Sequence, residues 1–440
     1  MMTPFAGLEF TTEMRAAWDR LGRDNVFIPG RAGTGKSTLL QEFCKATDRK
    51  VVKLAPTGVA ALNIGGSTVH SFFQFKPGIQ PSEAALAEVK NPELYRSLEY
   101  LIIDETSMVR ADHLDCIDAF LRVHGPHPGE PFGGVGLAFF GDPYQLPPVV
   151  TSDERVLLGP YRGRRHFFAA RAYSNIPMVE LTQVFRQTDQ DFLRVLDGVR
   201  DGTVTSDELK IFDSRVQPEV SADYIRDSGS TVLMARKSSV RKFNADILAS
   251  LPGLEHVFGA VVSGHFPEEA EPTDLELCLK EGARVMLLTN NLPHWVNGTV
   301  GTVTYVVPGF GVVVRLPSGA EEFIESHTWT HYRYTTADGR IEQVPAGEFT
   351  QLPMKLAWAV TVHKAQGLTL DCAVVDERYE MFDAGQLYVA LSRVRTLEGL
   401  ILTPRNVRMG DILVDPAVRR FMREGREANL VMNDLSEVVV

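Results

Sequence analysis

Eight residues, Gly30-Arg31-Ala32-Gly33-Thr34-Gly35-Lys36-Ser37, constrain this chain more than any others. They fit the pattern G-x-x-x-x-G-K-[ST], and their flanks match it. An apolar run, Val26–Ile28, precedes them, and a helical stretch, 38–45, follows. A glycine-rich turn between a strand and a helix lets backbone N–H groups curl around phosphates while the helix directs the positive end of its dipole at them. Gly30, Ala32, Gly33, Thr34, Gly35 and Thr38 are thus expected to line a triphosphate. Lys36 is expected to reach its β- and γ-phosphates, and the Ser37 hydroxyl to ligate Mg²⁺.

The other half of such a site is expected in Leu101-Ile102-Ile103-Asp104-Glu105. An apolar run ending in two carboxylates places them at the C-terminal edge of a buried parallel strand, where such sheets bind ligands. Asp104 is expected to hold Mg²⁺, and Glu105 to take a proton from the attacking water. The acid pair alone is common; after a phosphate loop, it specifies a nucleoside-triphosphate hydrolase. A third turn, Gly141 to Pro148, follows the apolar run 136–140 and carries Gln145, expected to contact the γ-phosphate or the water. Arg186 and Arg393 are candidates for the cations that meet charge developing on the γ-phosphoryl group. Spacing alone leaves each equally readable as a surface arginine. Leu387, Ala390, Leu391 and Val394 form an apolar stripe at helical spacing, which sets Gln386 and Arg393 on another face, expected to open on a cleft.

Short apolar strands alternate with helical stretches from Asn25 to Gln183, the pattern of a doubly wound parallel α/β sheet. The strands are expected at 26–28, 51–55, 100–103, 136–140 and 178–181, with an insertion at 75–97. A second α/β rhythm runs from 186 to 286 and resumes at 350. Between them, 287–349 carries closely spaced strand signals and the turns Asn297-Gly298, Pro308-Gly309 and Ser318-Gly319. These suggest a small inserted antiparallel barrel; a β-hairpin extension of the sheet is the other reading. The expected division is therefore 1–185, 186–286 with 350–440, and the insertion 287–349.

At 440 residues the chain has length for roughly three domains of ~150 residues. Its 44% hydrophobic and 23% charged residues fit a globular chain rather than a disordered one. No apolar run is long enough to span a bilayer, no signal-peptide pattern is present, and the four cysteines are far apart with no C-x-x-C pair. A reduced, cytoplasmic or nucleoplasmic location without membrane contact is expected. The net charge of −11 argues against a nucleic-acid partner only weakly, because bases cluster locally at Arg162–Arg171, Arg236–Lys242 and Arg393–Arg408. Only the local field meets phosphates, although such clusters are more often solvated faces.

Taken together, these motifs resemble the PIF-type DNA helicases of superfamily one, the branch that moves 5′→3′. The resemblance includes Ala55-Pro56-Thr57-Gly58-Val59-Ala60-Ala61 through His70-Ser71-Phe72-Phe73. It also includes Ser107-Met108 through Pro131-Phe132-Gly133-Gly134, Ala359 through Asp371, and Tyr388 through Arg395, and it runs from about Asn25 to Leu402. It implies two RecA-like domains with ATP between them and single-stranded DNA across their tops. Residues 75–97 are similar to the family's small wedge, and 287–349 to its SH3-like barrel. Arg186 and Arg393 fall where relatives carry arginine fingers, and Gly367 falls beside the nucleotide.

Single-strand binding needs phosphate donors and π-faces for stacking. Thr57, His70, Ser71, Thr361, His363 and Lys364 are expected to supply the donors and Phe72 a stacking ring, with Phe73 left to the core. The implied activity is Mg²⁺·ATP-driven 5′→3′ translocation and unwinding of tailed or forked duplex by a nucleoid-associated monomer. A RecD-like subunit of a larger complex, or a nucleotide-switched binding module, are the alternatives. Relatives usually carry a Gln shortly before the phosphate loop. Residues 8–15 contain none, so strict selection of adenine is not implied.

Overall fold

The runs 26–28, 51–55, 100–103 and 136–140 become four of the five strands of the first parallel sheet. The computed structural model describes residues 10–76, 78–150, 153–174, 176–185, 189–291, 293–295, 297–337, 340–376 and 381–437. The chain divides into two compact units. One comprises Met1–Arg186, His331–Ala346 and Asp415–Val440; the other comprises Gln187–Thr330 and Gly347–Val414.

In the first unit, β1 (Val26–Pro29), β2 (Val51–Ala55), β3 (Ser67–Thr68), β4 (Tyr100–Ile103) and β5 (Gly136–Gly141) form one sheet in the order β1-β5-β4-β2-β3. Every pairing is parallel. Both faces are covered, which explains why β1 and β4 are buried at all four positions and carry no polar alternation. Val26, Ile28, Ile102, Ala138 and Phe140 pack with Leu39, Leu40 and Phe43 of the helix Lys36–Ala46. The expected strand at 178–181 is reduced to isolated parallel bridges from Met178 to Phe27 and from Leu181 to Gly30.

The insertion at 75–97 forms two short helices, Pro81–Ala85 and Pro92–Arg96, each with proline in its first turn, where no N–H is needed. Tyr95 joins Phe72, Phe73, Phe75 and Phe120 in an aromatic cluster with the helix Ala111–His124. The insertion therefore shares the core of the first unit.

The second unit holds a parallel sheet of Ala359–Thr361, Thr231–Met234, Ala373–Asp376 and Leu400–Thr403, in that spatial order. Beside it lies an antiparallel meander of five strands: Glu321–Glu325, Gly311–Arg315, Val300–Val307, Arg284–Leu287 and Met354–Leu356. Pro308-Gly309 and Ser318-Gly319 make the tight turns expected of them, with Gly309 and Gly319 at φ 77° and 85°. Asn297-Gly298 instead closes a longer loop after Leu287.

Two expectations about this region are corrected. The meander starts before residue 287 and takes its last strand after 349, and its end strands are not paired with each other among the described residues. Its inward residues, Val285, Val303, Val312, Val314, Ile324 and Met354, form one core with Met234, Trp358 and Val374 of the α/β part. The segment is thus an outgrowth of the second unit's core. A separate sheet pairs Gly347–Thr350 of the strand Arg340–Gln351 with 261–264, while His331–Ala346 belongs to the first unit.

The third correction concerns the C-terminal segment, expected within 350–440 of the second domain. The helix Pro416–Glu437 packs on the first unit instead. Phe421 stacks on Phe168 with ring centroids 4.2 Å apart and also touches Phe27, Phe167 and Tyr173. Arg426 pairs with both carboxylate oxygens of Glu180, at 2.6 and 2.8 Å. Helical and apolar pieces in a sequence do not say which surface will receive them. Phe421→Ala is expected to cost about 3 kcal/mol of the first unit's stability, read by chemical denaturation. An unchanged transition midpoint would contradict this packing.

Candidate functional site: a phosphate loop and two sets of nucleic-acid donors

The phosphate loop is held at the C-terminal edge of the first sheet. The Gly30 N–H donates to the Gly141 carbonyl at 3.1 Å, and the Phe185 N–H to the Gly33 carbonyl at 2.8 Å. Gly30 cannot be replaced cheaply, because a Cβ there would lie 2.5 Å from Thr34 Oγ1 and 3.0 Å from the Leu181 carbonyl oxygen. Gly33 and Gly35 stand at φ 82° and 83°, in the left-handed region. Gly35 caps the helix Lys36–Ala46 without any side-chain hydrogen bond to its first turn, and no acidic residue lies there. No capping side chain competes for the first N–H groups of this eleven-residue helix, which suits its terminus to an anion.

The Lys36 ammonium lies over this cradle, donating to the carbonyl oxygens of Gly30 at 2.6 Å and Arg31 at 2.8 Å. Thr34 is buried, and its hydroxyl donates to Arg31. Ser37 and Thr38 are exposed on the first helical turn, and Ala32 is half-buried. These are the donors a triphosphate needs, arranged around one loop.

Asp104 and Glu105 leave β4 beside it. Burial pushes the Asp104 carboxyl up to about 7; the neighbouring Glu105 charge adds to the rise, and Lys36 opposes it. Glu105 is one of four non-glycine residues among the described residues with positive φ, at φ 49° and ψ 44°. A left-handed conformation in such a residue is strained, and here it turns the chain sharply after the strand. Gly141 permits the close passage of β5, since a Cβ there would meet Thr106 Oγ1 at 2.6 Å. Gln145 is buried in the turn that follows β5, its N–H bonded to the Asp142 carbonyl. Phosphate loop, acid pair and Gln145 turn thus converge on one sheet edge. The two acidic and hydroxyl positions named for a divalent cation, Asp104 and Ser37, are oxygen donors of the hard type Mg²⁺ prefers.

Arg186 lies outside the described residues. Arg393 does not open on a cleft as expected. It is fully buried in the second unit and donates to the carbonyls of Val389 at 2.7 Å, Ala365 at 3.2 Å and Leu368 at 3.3 Å, and to Ser392 Oγ at 2.6 Å. Gln386 is also buried, and its Oε1 accepts from the N–H groups of Phe382 and Asp383. The helix Gln386–Leu391 ends before Arg393, so helical spacing does not extend to it. Arg393 grips the loop around Gly367, which stands exposed at φ 82°.

The DNA-contact candidates form one set in each unit. In the first, Thr57 caps a short helix by accepting from the Ala60 N–H at 3.3 Å, which leaves its own hydroxyl hydrogen to donate outward. His70 meets the edge of His113 with centroids 4.7 Å apart, and Ser71 Oγ lies 3.4 Å from His331 Nε2. Thr57, His70, His113 and Arg110 line a cavity of about 250 Å³. Phe72 is corrected: it is 4% exposed and packed against Phe73 and Tyr95, whose hydroxyl donates to its carbonyl, so its ring is not offered to a base.

In the second unit Thr361 repeats the arrangement, accepting from the Lys364 N–H at 3.1 Å. Burial pushes His363 below its ordinary value, Asp383 raising and Lys237 lowering it further. Lys364 is lowered by burial and by Lys237. Lys355 is pushed down to about 7 by burial, then by Lys364. The sequence marks Lys355 only as a charge inside the apolar stretch 352–362.

A family model described as PIF1-like helicase matches residues 11–210. The chain is 34% identical to ATP-dependent DNA helicase Pif1 of Bdellovibrio bacteriovorus, over 96% of this chain and 94% of that protein. It is 36% identical to ATP-dependent DNA helicase PIF1 of Danio rerio over 94% of its own length, but it spans only 64% of that relative. Among solved structures, Bacteroides sp Pif1 in complex with ADP-AlF4 superposes with a TM-score of 0.86 at 37% identity, covering 96% of this chain and 98% of that one. The two-part α/β fold with parallel sheets is thus a RecA-like helicase core. Among the described residues no helix is long and apolar enough to cross a membrane, and no group of three metal-binding side chains gathers.

The strain at Glu105 is testable apart from any activity. Glu105→Gly removes the left-handed penalty and is expected to leave stability unchanged or raise it by up to ~1 kcal/mol. A melting temperature clearly below that of the parent protein would contradict this expectation.

Proposed function

This chain belongs to the PIF1-like helicase family, and we propose that it is an ATP-driven motor that moves 5′→3′ on single-stranded DNA and separates the duplex ahead. The observation that carries the reading is the convergence of phosphate loop, Asp104 and Glu105 on one sheet edge. ATP is the proposed fuel, in line with the names of the relatives, with Gly30 to Thr38 around its phosphates and Gly367 beside it. Lys36 exchanges the Gly30 and Arg31 carbonyls for phosphate oxygens, so the same ammonium serves the loop with and without nucleotide. Mg²⁺, held by Ser37 and Asp104, would neutralise charge on the β- and γ-phosphates. Glu105 accepts the proton of the attacking water, with Gln145 placed to sense the γ-phosphate.

Arg186 and Arg393 are the proposed cations for the transition state. For Arg393 this role requires its guanidinium to trade some of its carbonyl partners for phosphate oxygens. Such a trade makes the loop around Gly367 respond to nucleotide, which suits a motor whose DNA contacts, Thr361, His363 and Lys364, lie just before that loop. Thr57, His70 and Ser71 form the matching grip in the first unit, and the helices of 81–96 are the proposed wedge. The strand and tailed or forked duplex are the proposed substrates of a monomer acting in the nucleoid.

Lys36→Ala is expected to lower DNA-stimulated ATP hydrolysis at least about a hundredfold while leaving single-strand affinity unchanged. Glu105→Gly is expected to lose a comparable factor in turnover. Both are read from steady-state phosphate release and fluorescence anisotropy. Loss of DNA binding by the Lys36 variant, or a parent protein that stops after a single-turnover burst, would overturn the motor reading.

A further inference from the structure

With Phe72 buried, the first unit's contact set does not offer the phenyl face expected of it. The second unit offers one. Phe382 is 56% exposed, and the Arg236 guanidinium carbon stands 5.5 Å from its ring centroid. The backbone that carries the ring is pinned, because the N–H groups of Phe382 and Asp383 both donate to Oε1 of the buried Gln386. An exposed ring on a fixed backbone loses little freedom when something stacks on it.

Its surroundings are cationic. Arg236 and Lys237 are exposed at the start of the helix Lys237–Ser250, which has no acidic residue in its first turn. Lys237 lies close enough to His363 and Lys364 to act on both, and Lys355 is close to Lys364. Asp383 beside His363 and Asp274 beside Lys355 and Lys364 are the opposing carboxylates. A guanidinium laid on an exposed ring near the exposed Lys237 and Lys364 matches the recipe for stacking a base while its phosphates are held.

We propose that Phe382, held beneath Arg236, is the base-stacking platform of the second unit, and that Lys237 joins Lys364 in taking the adjoining phosphates. This rests on the DNA-binding reading above, and it adds the ring and Lys237 to the contacts that reading already names. Phe382 reads no sequence, since every base has a π-face; it holds the strand by stacking, beside the Thr361–Lys364 loop.

The test uses the full chain and two labelled strands of equal length, oligo-dT and its abasic counterpart, with anisotropy read across a salt series. Phe382→Ala should weaken binding to oligo-dT at least about fivefold, leave the abasic strand unaffected, and keep the same salt slope, because the number of neutralised phosphates does not change. Phe382→Trp should restore the affinity. Since the ring is exposed, the alanine variant should melt as the parent does. Equal binding of oligo-dT by parent and Phe382→Ala would overturn the proposal, and so would equal weakening on both strands. If the parent binds neither strand, the DNA-binding reading itself fails, an outcome distinct from either of these.

Discussion

The contact on which the rest of the first unit depends is the seating of the phosphate loop against the end of β5. The Gly30 N–H reaches the Gly141 carbonyl, and Lys36 folds back over the carbonyls of Gly30 and Arg31. Neither contact tolerates a larger residue: Gly30 is shut in by Thr34 and Leu181, and Gly141 by Thr106. This close packing brings three chain segments far apart in sequence to one edge. It also explains the cost accepted at Glu105, whose left-handed backbone lets the chain turn away after β4. The ammonium is satisfied by loop carbonyls, so the cradle keeps its shape without help from a ligand.

The two proposed DNA-contact sets share a local design. Thr57 and Thr361 each sit where a parallel strand ends, and each caps a short helix through its hydroxyl oxygen. The cap fixes the side-chain rotamer and leaves one hydrogen to donate, which is what a phosphate contact requires. The sets differ in their aromatics: the first unit buries Phe72 in a cluster with Tyr95 and Phe120, whereas the second leaves Phe382 exposed beside Arg236.

What the sequence discloses follows from how far apart the deciding residues lie. The phosphate loop, the Asp104–Glu105 pair and the turns at Pro308-Gly309 and Ser318-Gly319 are local, so a few consecutive residues specify them. The parallel strands are legible because burial on both faces leaves continuous apolar runs. Phe72 is not, because Tyr95 and Phe120, distant in the chain, decide whether it is buried. Arg393 fails for a related reason: helical spacing cannot foresee that the helix stops at Leu391 and that loop carbonyls collect the guanidinium. The same holds for Phe421, whose partners Phe27 and Phe168 lie far earlier in the chain.

The central claim is that this nucleotide site drives directional movement along one DNA strand. The most direct measurement is strand separation with Mg²⁺·ATP on two duplexes that differ only in carrying a 5′ or a 3′ single-stranded tail. The account predicts opening of the 5′-tailed duplex and none of its mirror. Opening of the 3′-tailed duplex alone would contradict the direction. Rapid DNA-stimulated hydrolysis with neither duplex opened would contradict the claim that hydrolysis is coupled to unwinding.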